Sequence, residues 1–61
     1  IVRCESVRNG ENFCPVPGGP IRSVDVRKRL SRADCTYREG WGFTTRGIWV
    51  DRGCRADFIV Y

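Results

Sequence analysis

Apolar and polar residues alternate over several short stretches, the period-two pattern of half-buried strands. At the start, Val2, Cys4 and Ser6 fall on one side, and Arg3, Glu5 and Val7 on the other. Asn9-Gly10 follows, a dipeptide that tolerates positive φ at both positions and favours a type I′ hairpin turn. Glu11 to Cys14 is therefore expected to return beside the first strand. Pro15-Val16-Pro17-Gly18-Gly19-Pro20 reads as a loop, because prolines remove amide donors and paired glycines relax the backbone. Ile21 to Arg29 carries a strand signal in Val24 and Val26, and a helical one in Val26, Leu30 and Ala33. We expect a strand to about Arg29, then one helical turn with Ser31 and Asp34 as a short capping box. Trp41-Gly42-Phe43 opens another strand, and Thr44-Thr45-Arg46-Gly47 is a hairpin turn, with Gly47 able to take positive φ. Ile48-Trp49-Val50 returns, Asp51-Arg52-Gly53 turns again, and Cys54 to Tyr61 is the last strand. Its core face is Cys54, Ala56, Phe58 and Val60, the more uniformly apolar set.

This pattern predicts an all-β fold, a small antiparallel barrel or sandwich of about five short strands, as one domain over residues 1–61. A chain of 61 residues buries only about 60% of its unfolded surface, too little for a core to hold it comfortably alone. The four cysteines, Cys4, Cys14, Cys35 and Cys54, supply the missing stability. None lies in a C-x-x-C pair and there is no histidine, so two disulfides are expected rather than a metal site. No metal or other cofactor is expected. Four cysteines allow three pairings. Because the first and last strands of a small closed sheet often meet, we expect Cys4–Cys54 and Cys14–Cys35. Disulfides place the domain in an oxidising compartment, secreted or periplasmic. The chain has no methionine and no signal-like segment before Val2, as expected of a mature segment or one domain of a longer secreted chain. No apolar run is long enough to embed it in a membrane.

Net charge is +4, from ten arginines and one lysine against seven acids. That balance favours anionic partners, or simply a well-solvated surface. Secretion argues against nucleic acid. The run Arg27-Lys28-Arg29 reads as a solvated edge strand that resists aggregation. Catalytic machinery is not legible, so the expected answer is not an enzyme. Without histidine, and with oxidised cysteines, the common activated nucleophiles are missing. Asp51 with Asp57, or Glu5 with Asp57, could pair across strands, but salt bridges to the arginines are the expected role of these acids. Gly40-Trp41-Gly42 is too short and too aromatic for a phosphate-binding loop.

The stretch Trp41-Gly42-Phe43, then Gly47-Ile48-Trp49-Val50-Asp51-Arg52-Gly53-Cys54-Arg55-Ala56-Asp57-Phe58, resembles a family of bacterial secreted domains of unknown function. That family often occurs as tandem copies. Its pattern also has Cys4-Glu5-Ser6, Cys14, Leu30-Ser31 and Cys35, so the resemblance covers nearly the whole chain. The proline-rich loop after Cys14 is longer than the family's. The resemblance implies secretion and a repeated module; it brings no established activity.

What remains is a binding surface. Between Tyr37 and Arg55 lie Tyr37, Arg38, Trp41, Arg46, Trp49, Asp51 and Arg55, the candidate ligand-binding residues. Aromatic faces take the C–H faces of sugars, Arg and Asp take hydroxyls, and Tyr, Trp and Arg equally anchor protein interfaces. If Ile48 and Val50 face the core, Trp49 points outward. Either tryptophan can instead be core, since each buries roughly 150–250 Å². The expected function is a non-enzymatic secreted binding module, lectin-like, for a glycan or cell-envelope polysaccharide. The alternatives are a protein-binding inhibitor or interaction module acting through Pro15 to Pro20, and an electrostatic binder of anionic envelope polymers. Oligomeric state is left open.

Overall fold

Strands form where the alternation is clearest. A computed structural model describes residues 1–61 and contains six: β1 (Val2–Glu5), β2 (Asn12–Pro15), β3 (Val24–Arg29), β4 (Trp41–Thr44), β5 (Gly47–Val50) and β6 (Arg55–Val60). They make two antiparallel three-stranded sheets, ordered β1-β6-β3 and β2-β5-β4. The all-β expectation holds, in its sandwich form. Cys4, Val24, Ala56 and Phe58 from the first sheet meet Trp41, Ile48 and Val50 from the second, with Ile21 and Cys54 closing the core. Ala56 and Phe58 are fully buried, so the face assigned to the last strand is the core face. No helix of the fold is long and apolar enough to cross a membrane.

Four local expectations are corrected. The first turn lies one residue early, at Arg8 and Asn9 (φ 54° and 61°), closed by Gly10 N–H donating to the Val7 carbonyl at 2.9 Å. Nor does it make a two-stranded hairpin: β2 leaves β1 and pairs with β5 in the other sheet. No helical turn follows β3. A four-residue segment cannot nucleate a helix by itself, and the Ser31 hydroxyl is taken by the backbone N–H of Arg55, at 3.2 Å. Gly47 sits in the predicted β4–β5 turn but not at positive φ. Its reason is space: a Cβ there would run into the Cys14 carbonyl oxygen, Pro15 Cα and the Phe13 ring. The Asp51-Arg52-Gly53 turn is as expected, with Arg52 and Gly53 both left-handed (φ 54° and 83°).

The disulfides are Cys4–Cys14 and Cys35–Cys54, which overturns the expected Cys4–Cys54 and Cys14–Cys35 pairing. The premise was sound, since β1 does pair with β6. The register decides otherwise: Cys4 stands opposite Ala56, while the Cys54 carbonyl accepts from the Ser6 amide at 2.8 Å. Offset by two residues, Cys54 lies beyond Cys4's reach and bonds to Cys35 in the irregular segment before β4. Cys4 instead spans the two sheets to Cys14 on β2.

β3 is an edge strand, and its exposed Arg27-Lys28-Arg29 lies at a bulge between Val26 and Lys28. Charge and bulge together discourage pairing with another chain. On the outer face of the same sheet, Arg3 stands opposite Asp57 and grips it with both ends of its fork, Nε to Oδ1 at 2.8 Å and Nη2 to Oδ2 at 3.3 Å. The Arg3 hydrogen bond holds the Asp57 carboxyl below its ordinary 3.8. A depressed carboxylate contributes stability that is present above its unfolded value and lost as pH falls through the folded one. Acid melts are therefore expected to show wild type losing stability below about pH 4, and Asp57→Asn losing less over the same window. Equal acid slopes for the two would contradict this coupling.

Candidate functional site

The second sheet builds the most distinctive surface. Along β2, β5 and β4 the cross-strand rows are Phe13–Trp49–Gly42 and Pro15–Gly47–Thr44, alternating with Cys14–Ile48–Phe43 and Asn12–Val50–Trp41. Ile48 and Val50 are fully buried, so the second pair of rows faces the core and the first pair faces out. The outer face is thus Phe13, Trp49, Gly42, Pro15, Gly47 and Thr44. It carries no charge, on a chain in which 30% of residues are charged.

Its two rings lie down rather than stand up. A Cβ at Gly42 would collide with Cζ2, Cε2 and Nε1 of the Trp49 indole, and one at Gly47 with Cζ of Phe13. Each aromatic therefore covers a glycine on the neighbouring strand, an arrangement that restores packing lost at strand glycines. Trp49 is half-buried and Phe13 is 46% exposed. The Trp49 Nε1–H has no acceptor within the chain, whereas the Trp41 Nε1–H donates to the Cys35 carbonyl at 3.0 Å. The result is a shallow apolar shelf with one free donor at its edge.

The seven residues singled out in the sequence do not converge on one place. Trp49 is on this shelf, pointing outward as the alternation predicts. Trp41 is core, 5% exposed, with its ring 5.0 Å from that of Phe58. Tyr37 lies over Trp41 and Phe43 at 5.0 and 6.2 Å, and the Arg38 guanidinium lies 5.8 Å from the Tyr37 centroid. That stack caps the open side of β4. Arg46 is in the β4–β5 turn, its carbonyl accepting from Val16 N–H at 2.9 Å. Asp51 holds its own turn, its carbonyl accepting from Cys54 N–H at 3.0 Å and its Oδ1 from the Arg52 amide at 2.8 Å. Arg55 borders a separate polar cleft with Ser6, Arg8 and Arg32.

Phe13 was not singled out. Its neighbour Cys14 carried the signal, because a cysteine turned inward to a disulfide turns the preceding residue outward on the same strand. The Pro15 to Pro20 loop is pinned to the β4–β5 turn at both ends, through Val16 and through Ile21 N–H to the Thr45 carbonyl at 3.1 Å. Gly18 and Gly19 hold φ of 108° and 109° at its open tip.

Fold and surface together define a small disulfide-stapled β-sandwich domain with an aromatic outer face. The chain belongs to the DUF3011 family, proteins of unknown function, whose family model matches residues 1–58. Over 40 residues it is 45% identical to Lectin ADEL of Aplysia dactylomela, a match covering 66% of this chain but only 18% of that lectin. No solved structure matches the chain.

Proposed function

We propose that this domain is a non-enzymatic, secreted, lectin-like module that takes a sugar ring against the outer face of β2-β5-β4. The observation that carries the reading is the Trp49 indole laid over Gly42, with its N–H unpaired and Phe13 on the neighbouring strand. An aromatic ring lying along a sheet presents a flat apolar face to the C–H groups of a pyranose, and the free N–H supplies a donor for a hydroxyl. The six-residue face carries no charge that would have to be desolvated. The two disulfides fit a domain working outside the reducing cytosol. The partial match to a lectin points the same way. A shallow shelf on so small a domain binds one ring weakly, and tandem copies would raise avidity for repetitive polysaccharides without new contacts.

The test is a glycan titration, followed by tryptophan emission in wild type and by calorimetry in the variants. One sugar class is expected to shift the emission of wild type. Trp49→Ala is expected to weaken that binding at least about tenfold, roughly 1.4 kcal/mol, while its melting temperature falls by only about 4–8 °C, so that the domain stays folded at 25 °C. Gly42→Ala, which keeps both rings but lifts the indole, is expected to weaken it too. A complete glycan panel with no response, or full affinity in Trp49→Ala, would reject the reading.

A further inference from the structure

The charge-free shelf leaves the arginines without a role, and three of them gather elsewhere. Arg8, Arg32 and Arg55 line a cleft of about 460 Å³ with Ser6, Asn9 and Ser31, between the Arg8-Asn9 turn, the segment after β3 and the start of β6. No acid lines it. The chain's two ion pairs, Arg3–Asp57 and Arg29–Asp34, use none of these three arginines. Three like charges around one cleft repel each other and do nothing for the fold by themselves.

The walls of the cleft are held from within. The Ser6 hydroxyl donates to the Gly10 carbonyl at 2.6 Å and accepts from Gly53 N–H at 3.1 Å, locking the two left-handed turns together. The Asn9 side chain covers Gly53, where a Cβ would strike its Oδ1. The Ser31 hydroxyl accepts from Arg55 N–H and donates to the Ala33 carbonyl, fixing the third wall. The polar side chains left to meet a ligand are the three arginines and the Asn9 amide. One of them is placed at conformational cost. Arg8 has φ 54° at the first central position of its turn, a place suited to asparagine or glycine and rarely occupied by a long side chain.

We infer that this cleft binds a tetrahedral oxyanion, a phosphate or sulfate monoester carried on a sugar. A carboxylate offers two oxygens and one charge, which a single bidentate arginine satisfies. A monoester offers three terminal oxygens, matching three guanidiniums. The oxyanion site stands independently of the aromatic shelf and shares no residue with it; only the identity of the carrier as a sugar rests on the glycan reading.

The experiment titrates the oxidised domain with glucose 6-phosphate, glucose 6-sulfate, glucuronate and glucose by calorimetry. It is repeated with Arg8→Asn, Arg32→Gln and Trp49→Ala. Both esters, or one of them, are expected to bind at least about tenfold more tightly than glucuronate, and more weakly as salt rises. Arg8→Asn and Arg32→Gln are expected to lose about tenfold or more each, and Trp49→Ala to keep ester binding. Because asparagine suits the left-handed position better, Arg8→Asn should melt no lower than wild type, which separates lost binding from lost folding. Phosphate-ester affinity falling below about pH 6 while sulfate-ester affinity holds would tell the two sources apart. Glucuronate binding as tightly as both esters, or Trp49→Ala abolishing ester binding, would overturn the inference. Glucose bound as tightly as the esters would leave the shelf standing and reject the cleft; esters bound with every neutral glycan silent would do the reverse.

Discussion

Removing both disulfides is expected to leave the chain unfolded at 25 °C. Cys4–Cys14 closes a loop of sequence separation 10 and Cys35–Cys54 one of 19. Loop-closure entropy assigns each about 3 kcal/mol, so together they supply about 6 kcal/mol. A domain of this size has only roughly 3–9 kcal/mol of net stability, and the space emptied at four buried or half-buried sulfurs adds to the loss. The two bonds also do different mechanical work. Cys4–Cys14 ties the two sheets together across the sandwich. Cys35–Cys54 ties down residues between β3 and β4, a stretch with no strand of its own, against the turn that leads into β6. Alanine is the proper replacement, because Cys4 and Cys54 are almost wholly buried and alanine brings in no polar group that would need a partner. The quadruple alanine variant should lose its cooperative melt and expand well beyond the 10.2 Å Cα radius of gyration of the native fold. Each double variant should fall by about 3 kcal/mol in denaturant titrations. A quadruple variant that still melts cooperatively near the wild-type temperature would contradict this account.

The elements were legible in the sequence because strand alternation is a local signal. Val2, Cys4 and Ser6 do point inward, Ala56 and Phe58 do form core, and Trp49 does point out. What failed needed information from distant residues. The Asn9-Gly10 rule describes a turn, not where the chain goes next, and here Glu11 carries it into the other sheet. The Ser31–Asp34 capping signal was real chemistry with the wrong partner, since the hydroxyl serves Arg55, 24 residues away. The cysteine pairing failed by two residues of register, a quantity fixed only when β1 and β6 are aligned. The candidate site suffered the same limit. Tyr37, Arg38 and Trp41 are close in sequence and close in space. Phe13 joins Trp49, and Arg8 joins Arg55, only through the fold. Composition announced an excess of arginine but not that three arginines line one cleft while the outer face of β2-β5-β4 holds no charge.

The two tryptophans, indistinguishable by composition, are expected to respond oppositely to truncation. Trp41→Ala should cost about 3–5 kcal/mol, the range for emptying a buried large aromatic site. The Trp41 ring lies between Phe58 and Tyr37, 5.0 Å from each, so its loss opens the junction between the two sheets. It also strands the Cys35 carbonyl, which accepts from Nε1 beside the Cys35–Cys54 bond. Trp41→Phe keeps most of the volume and loses the hydrogen bond, and should fall only about 1–2 kcal/mol. Trp49→Ala uncovers Gly42 on a solvent-facing row and leaves Ile48 and Val50 in place. Its cost should stay near 1 kcal/mol, the scale of a cross-strand pair. Quenching by acrylamide provides an independent check, since emission from a Trp49→Phe variant reports Trp41 alone and should be shielded. Emission from Trp41→Phe reports Trp49 and should be quenched readily. Reversal of both the stability order and the quenching order would place the shelf in the core and remove the basis for glycan binding. The predicted order leaves one tryptophan committed to folding and the other free to serve a ligand.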